Sequence, residues 1–200
     1  MKRFDDHKLD YICSRAAGRD VLDLGCVNHY VEDEQTRFWL HKALREVAGD
    51  LVGLDYLQDA VDTLSKQGYN VVQGNAENFD LGRKFDVIVA GDIVEHLNNQ
   101  DGFLKSCLRN LKDDGIIVIS TPNPWFWKHF VLALLHTEVP NNEEHSGWFC
   151  PRTYRQLAAR YGLELGEIEF ASRYWKDRIW PFPRGWKHTT WMATLRRVKS

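Results

Sequence analysis

The chain has 200 residues, 44% of them apolar, with 26 basic and 28 acidic side chains and a net charge of −2, which suits one domain large enough for a three-layer core. No apolar run is long enough to cross a bilayer, residues 1–6 carry no apolar signal region, and the four scattered cysteines form no Cys-x-x-Cys pair. These features argue against a membrane-spanning protein, a disulfide scaffold and a structural zinc site, and the expected setting is a reducing cytoplasm.

Residues 4–17 place Leu9, Ile12, Cys13 and Ala16 at helical spacing, and Gly18 ends that helix. Val21-Leu22-Asp23-Leu24 reads as a short buried strand that runs straight into Gly25. A helix is expected over residues 32–47, a strand at 51–54 with Asp55 at its end, and a helix at 57–66 closed by Gly68. Residues 70–73 and 85–90 are the third and fourth strands, followed by Gly74-Asn75-Ala76-Glu77 and by Gly91-Asp92. A helix at 101–111, a turn at Asp113-Asp114-Gly115 and a fifth strand at 116–120 lead into Thr121-Pro122-Asn123-Pro124. Alternation of strand and helix argues a parallel sheet with helices on both faces, and right-handed crossovers put Gly25, Asp55, Asn75 and Gly91 at one crevice. Beyond Asn123 the pattern loosens. Residues 125–135 form an apolar helix, 140–145 a polar loop and 151–161 a helix that starts at Pro151. Residues 163–170 and 191–198 form two last strands on either side of an aromatic, Pro-rich loop.

A strand, a Gly turn and a following helix together hold a polar cofactor, either a dinucleotide or S-adenosylmethionine. The dinucleotide fingerprint needs G-x-G-x-x-G and an acid about 20 residues later. Here Gly25 is followed by Val27 and His29, and Asp55 comes 30 residues on, so the nicotinamide reading is disfavoured.

Val21-Leu22-Asp23-Leu24-Gly25-Cys26 resembles motif I of the class I S-adenosylmethionine-dependent methyltransferases. The resemblance continues in order. Val52-Gly53-Leu54-Asp55 looks like the acidic end of that family's second strand, and Gly74-Asn75-Ala76-Glu77 like the block after the third. The sequence FDVIVAGDIVEHL at 85–97 resembles the small-molecule branch, which includes the ubiquinone-biosynthesis O-methyltransferases. Leu111-Lys112-Asp113-Asp114-Gly115, Ser120-Thr121-Pro122-Asn123 and the run from Glu144-His145 to Thr153 continue it, over roughly residues 15–165.

The resemblance implies a Rossmann-like three-layer α/β/α domain over 1–200, with a mostly parallel seven-stranded sheet and an antiparallel last strand. It implies S-adenosylmethionine as cofactor, held by Asp23, Gly25, Cys26, Asp55, Tyr56, Leu57, Asn75, Ala76, Glu77, Gly91 and Asp92. In that scheme Asp55 accepts from the ribose hydroxyls, Tyr56 and Leu57 sandwich adenine, Asn75 and the Ala76 amide meet the adenine edge, and Gly25 and Gly91 approach the methionine part. Asp23, under the turn, is expected to order backbone amides. Val27 and His29 depart from the usual run of glycines, so the loop is either wider or less tightly binding.

A hydroxyl acceptor must lose a proton, and His145 and His96 are the candidate bases, with His145 preferred. Glu95-His96 alone does not make a metal site, so no metal is expected. Residues 124–150 are expected to form a cap or substrate segment, with an interfacial role for the aromatic helix as the alternative, and residues 171–190 an aromatic, basic loop. Residues 151–200 carry 11 Lys and Arg against 4 Asp and Glu, a balance of +7, which leaves −9 on residues 1–150. That asymmetry suggests an acceptor that is a small molecule or glycan, anionic or lipid-linked, with peripheral membrane contact as an option. Two other functions fit the same fold: a cofactor sensor without catalysis, and a nucleic-acid methyltransferase. The second lacks an Asn/Asp-Pro-Pro-Tyr/Phe block after the fourth strand, and an acidic front suits a phosphate backbone poorly.

Overall fold

The computed structural model describes residues 7–27, 39–136, 142–172 and 181–198. The elements run α1 (His7–Ala16), β1 (Asp20–Leu24), α2 (Leu40–Val47), β2 (Asp50–Asp55), α3 (Gln58–Lys66), β3 (Val71–Gln73), β4 (Phe85–Gly91), α4 (Gln100–Asn110), β5 (Leu111–Pro122), α5 (Trp127–Leu135), α6 (Pro151–Ala159), β6 (Leu163–Leu165), β7 (Glu169–Ala171), α7 (Arg184–Lys187) and β8 (Thr190–Arg197). A single 3-10 turn, Val94–His96, links β4 to α4. His29, the first part of the helix expected from residue 32, and Arg173, Trp175, Lys176, Arg178 and Trp180 lie outside the described residues.

The sheet order is β3-β2-β1-β4-β5-β8-β6, with β7 also on the outer edge of β8. β1 to β5 are parallel, β8 runs antiparallel to β5, and β6 and β7 run antiparallel to β8. The antiparallel last strand is thus present, while the seventh position in the sheet is filled by two short strands in place of one. Gly166 breaks the edge: its amide still reaches Thr194 O at 2.9 Å, but a Cβ there would lie 2.9 Å from Thr194 Oγ1. The expected turn at 113–115 is a register shift inside the twelve-residue β5, between the pairs Phe85–Leu111 and Val87–Ile116.

Strand sequences explain the layers. Along β4, Val87 and Val89 face α1 and α2, while Ile88 and Ala90 face α4 and α6, so the central strand is apolar on both sides. Tyr11, Ile12 and Leu44 cover the first face; Phe103, Leu104, Cys107, Tyr154 and Ala158 cover the second. The chain leaves β1 outward to β2 and β3, then returns to place β4 on the other side. A crevice opens where the order reverses, at the carboxyl ends of β1 and β4.

Candidate active site

The crevice starts with Gly25, whose φ of +73° is open to glycine and strained for other residues. Its amide donates to Leu54 O at 2.8 Å, folding the turn back over β2. Asp55, almost fully buried at the end of β2, accepts from the Val27 amide at 3.0 Å through Oδ2 and from the Leu57 amide at 3.1 Å through Oδ1. One carboxylate therefore closes the glycine turn and starts α3, and each oxygen keeps a second lone pair. Burial raises the Asp55 carboxyl above its ordinary value, against the pull of the amides of Val27, Leu57 and Tyr56. Beside it Tyr56 is 70% exposed and Leu57 is also exposed, an apolar platform at a polar rim. Asn75 lies exposed at the end of β3, and its Oδ1 takes the Glu77 amide at 2.8 Å. Ala76 is buried against the core.

Three of the expected cofactor residues have side chains committed elsewhere. Asp23 is buried and bonded at 2.9 Å to Nδ1 of the equally buried His41, so it orders α2 and not backbone amides. Cys26 turns its side chain into a cluster with Trp39, Val61, Leu64 and Val71, and its carbonyl accepts from Trp39 Nε1 at 2.8 Å. Glu77 accepts from the amides of Asn98 and Asn99 at 2.6 and 2.8 Å, which fixes the approach to α4.

At the end of β4, a Cβ on Gly91 would lie 2.6 Å from Leu40 Cδ2, so a side chain there would have to push the end of Leu40 aside. Asp92 follows with a φ of +52°, held by its amide to Ser120 O at 2.9 Å and by the Ser120 hydroxyl at 2.8 Å. Lys8, from α1, donates to the other Asp92 oxygen. Partial desolvation works against the charge, although the Asp92 side chain is 42% exposed, and Lys8 and Ser120 outweigh it and hold the carboxyl below the usual range. Lys8 was invisible as a site residue in the sequence, being 84 positions from its partner.

His96 is the last residue of the 3-10 turn, not the opening of a helix; α4 starts four residues later. Its ring meets that of His145 edge to face, centroids 4.7 Å apart, and Glu144 Oε2 lies 4.0 Å from His96 Nδ1. The loop carrying His145 is tied down by Ser146 and Gly147, whose amides donate to Glu95 O at 2.8 and 3.1 Å. Glu95 itself is buried, accepts from the Thr121 hydroxyl at 2.8 Å, and is pushed up to about 8, first by burial and then by the charge of Asp92. One ligand atom each from Glu95, His96 and His145 lie within 4.8 Å of one another. The expectation of no metal rested on two donors, and the fold brings a third.

The Ser-Thr-Pro-Asn block turns out to brace this edge. Ser120 holds Asp92, Thr121 holds Glu95, and buried Asn123 donates to Gly185 O and His188 O at 2.6 and 2.8 Å. The sequence showed them as the end of the fifth strand, a turn and one block of the family resemblance, with no bracing role, since their partners lie from 26 to 65 positions away.

The sheet order, the antiparallel final strand and a glycine turn at the switch point define the class I S-adenosylmethionine-dependent methyltransferase fold. The model of the methyltransferase domain family matches residues 1–168, and the chain belongs to that family. A probable S-adenosylmethionine-dependent methyltransferase of Mycolicibacterium smegmatis is 32% identical over 125 residues, covering 60% of this chain and 45% of that protein. A ubiquinone biosynthesis O-methyltransferase of Rickettsia canadensis is 22% identical over 193 residues, covering 84% and 78%. The chain thus spans less than half of the M. smegmatis protein and more of the Rickettsia one. Among solved structures, a SAM-dependent methyltransferase from Archaeoglobus fulgidus matches with a TM-score of 0.66 at 18% identity, covering 96% of this chain and 92% of that one. Magnesium protoporphyrin IX methyltransferase from Synechocystis, solved with bound SAH, also gives 0.66, at 14% identity and covering 96% and 83%. These two likenesses show the fold.

Proposed function

We propose that this chain transfers a methyl group from S-adenosylmethionine to a hydroxyl of a small-molecule or glycan acceptor. The observation that carries the reading is the pairing of His96 and His145 at the rim of the β4 end, 49 residues apart in sequence and 4.7 Å apart as rings. The crevice suits the cofactor: Asp55 for the ribose, Tyr56 and Leu57 for the adenine faces, Asn75 and the Ala76 backbone for its edge. Gly25 and Gly91 admit the methionine part by backbone, and the Lys8–Asp92 pair complements an amino-acid zwitterion. S-adenosylmethionine, when bound, supplies an electrophilic methyl on a sulfonium sulfur. His145 takes the acceptor proton on a ring nitrogen, and His96 and Glu144 orient it and share the charge.

The test is production of S-adenosylhomocysteine with a panel of hydroxyl acceptors. His145→Ala should lower kcat by about 100-fold or more, the ordinary worth of a general base, and leave cofactor affinity within about twofold. A chain that binds the cofactor and turns over no acceptor would favour the cofactor sensor instead. Methylation of oligonucleotides would favour the nucleic-acid reading.

A second reading rests on the donor set. A carboxylate and two imidazoles suit zinc or another first-row divalent ion. A cation held by Glu95, His96 and His145 would act as a Lewis acid on the acceptor oxygen. Calorimetric titration of chelator-treated protein with zinc and manganese separates the readings: binding that His145→Ala abolishes supports the metal, and no binding leaves the histidines as bases.

A further inference from the structure

His145 stands in the connection between α5 and α6, where no helix or strand aims its ring. Its neighbours in the chain supply the restraint. Ahead of it the backbone turns: the His145 amide donates to Asn142 O at 3.0 Å, and the Asn142 side chain accepts from the Glu144 amide at 3.2 Å. After it comes Ser146. The Ser146 amide donates to Glu95 O at 2.8 Å, and the Ser146 hydroxyl lies 3.1 Å from both Glu95 O and Leu97 O, 51 and 49 positions back in the chain. A hydroxyl has one hydrogen, so the two carbonyls share it. Glu95 and Leu97 are the residues on either side of His96, and the Ser146 side chain therefore spans the backbone that carries the other ring.

The turn that Ser146 grips is itself rigid. Glu95 is buried and takes the Thr121 hydroxyl, which ties the turn to β5. Gln100, in the first turn of α4, donates through Nε2 to Val94 O and Leu97 O at 2.7 and 3.3 Å. His96 thus sits on a frame fixed from two elements, and the His145 loop is stitched to that frame.

The hydroxyl is surplus to the needs of the two carbonyls. Glu95 O already accepts the amides of Ser146 and Gly147 at 2.8 and 3.1 Å, one for each lone pair, and Leu97 O already accepts from Gln100. Neither would be left bare without it. Ser146 is also exposed, so truncating its side chain opens no cavity in the core. What the hydroxyl adds is a second point of attachment. The amides hold the loop to Glu95, and the reach to Leu97 stops it from pivoting there.

We propose that Ser146 is a positioning residue that holds His145 against His96. Its part in the reaction rests on the reading in which His145 meets the acceptor. The base and the metal versions of that reading need it equally, because both require the two rings together.

The experiment is proton NMR of the full chain as wild type, Ser146→Ala and Ser146→Thr, read as the nuclear Overhauser effect between the imidazole protons of His96 and His145. Thermal melts and turnover with the panel of hydroxyl acceptors accompany it. The wild type should show the effect, since the ring centroids are 4.7 Å apart. Ser146→Ala should lose most of it and should lower kcat by about three- to tenfold, the worth of one hydrogen bond. Its Tm should stay that of the wild type. Ser146→Thr keeps the hydroxyl at an exposed position and should restore both signals. An unchanged Overhauser effect in Ser146→Ala would overturn the proposal. So would a loss that comes with a lower Tm and that Ser146→Thr does not restore, because the bond would then be structural. A kcat that Ser146→Ala leaves alone while His145→Ala lowers it would overturn it as well. If His145→Ala itself leaves kcat unchanged, the reading of His145 fails, and the Overhauser effect still decides whether Ser146 holds the two rings together.

Discussion

Glu95 shows how much the fold spends on one side chain. It is 1% exposed, with Thr121 as its hydroxyl donor and the charge of Asp92 nearby, and its carboxyl is pushed up to about 8. The folded protein therefore keeps a proton that the unfolded chain releases near 4.5. Stabilisation from this protonation is complete below the unfolded value and is lost as pH rises through about 8. In chelator-treated protein, the Tm of the wild type should fall between about pH 5 and pH 8 relative to Glu95→Gln, which cannot titrate. Parallel curves would mean that Glu95 is ionised throughout. The sequence showed Glu95 beside His96 and nothing of its burial, because the residues that enclose it, Thr121 and Ser146, come from other strands and loops.

Elements were more legible than contacts. The strands at residues 21–24, 85–90 and 116–120 declared themselves as apolar runs closed by turn residues, and all three lie inside strands of the central sheet. The outer edge was harder, since the break at Gly166 depends on its approach to Thr194. The join between β1, β2 and α2 was also hidden. There Gly53 leaves space that Cys26 and His41 fill, and a Cβ on it would lie 2.7 Å from Cys26 Sγ, 2.8 Å from His41 Cε1 and 2.9 Å from Val71 Cγ1. Gly53→Ala should cost about 1–3 kcal/mol through overpacking, read as a lower midpoint in urea. An unchanged midpoint would show that these three side chains can move apart. Because His41 holds Asp23 in the same cluster, the loss should be accompanied by weaker cofactor binding.

At the scale of the molecule, charge and architecture divide the labour. The acidic first 150 residues build the parallel sheet and the crevice; the basic last 50 supply β6, β7 and β8 and the segment beside α5. The expectation of S-adenosylmethionine in place of a dinucleotide rests on Gly25 standing without the further glycines of a dinucleotide turn and on Asp55 lying 30 residues beyond it. Native mass spectrometry of the freshly purified protein should find S-adenosylmethionine or S-adenosylhomocysteine as the co-purifying nucleoside. A nicotinamide dinucleotide in its place would contradict the cofactor. The acceptor was not legible to the same degree, because five of the cationic and tryptophan residues on which that reading rested, Arg173, Trp175, Lys176, Arg178 and Trp180, fall outside the described residues.

The proposed methyl transfer requires S-adenosylmethionine in the crevice between β1 and β4 with its ribose on Asp55. Isothermal titration calorimetry of the wild type and of Asp55→Ala, with thermal melts of both, tests it most directly. The expected result is one site per chain in the wild type and a loss of about 1.5–3 kcal/mol in the variant, the cost of charged hydrogen bonds left unmade, which is about ten- to a hundredfold in Kd. Part of that loss runs through the glycine turn, since Asp55 also holds the Val27 amide. A variant that folds and binds the cofactor as tightly as the wild type would contradict the account, as would a wild type that binds neither S-adenosylmethionine nor S-adenosylhomocysteine.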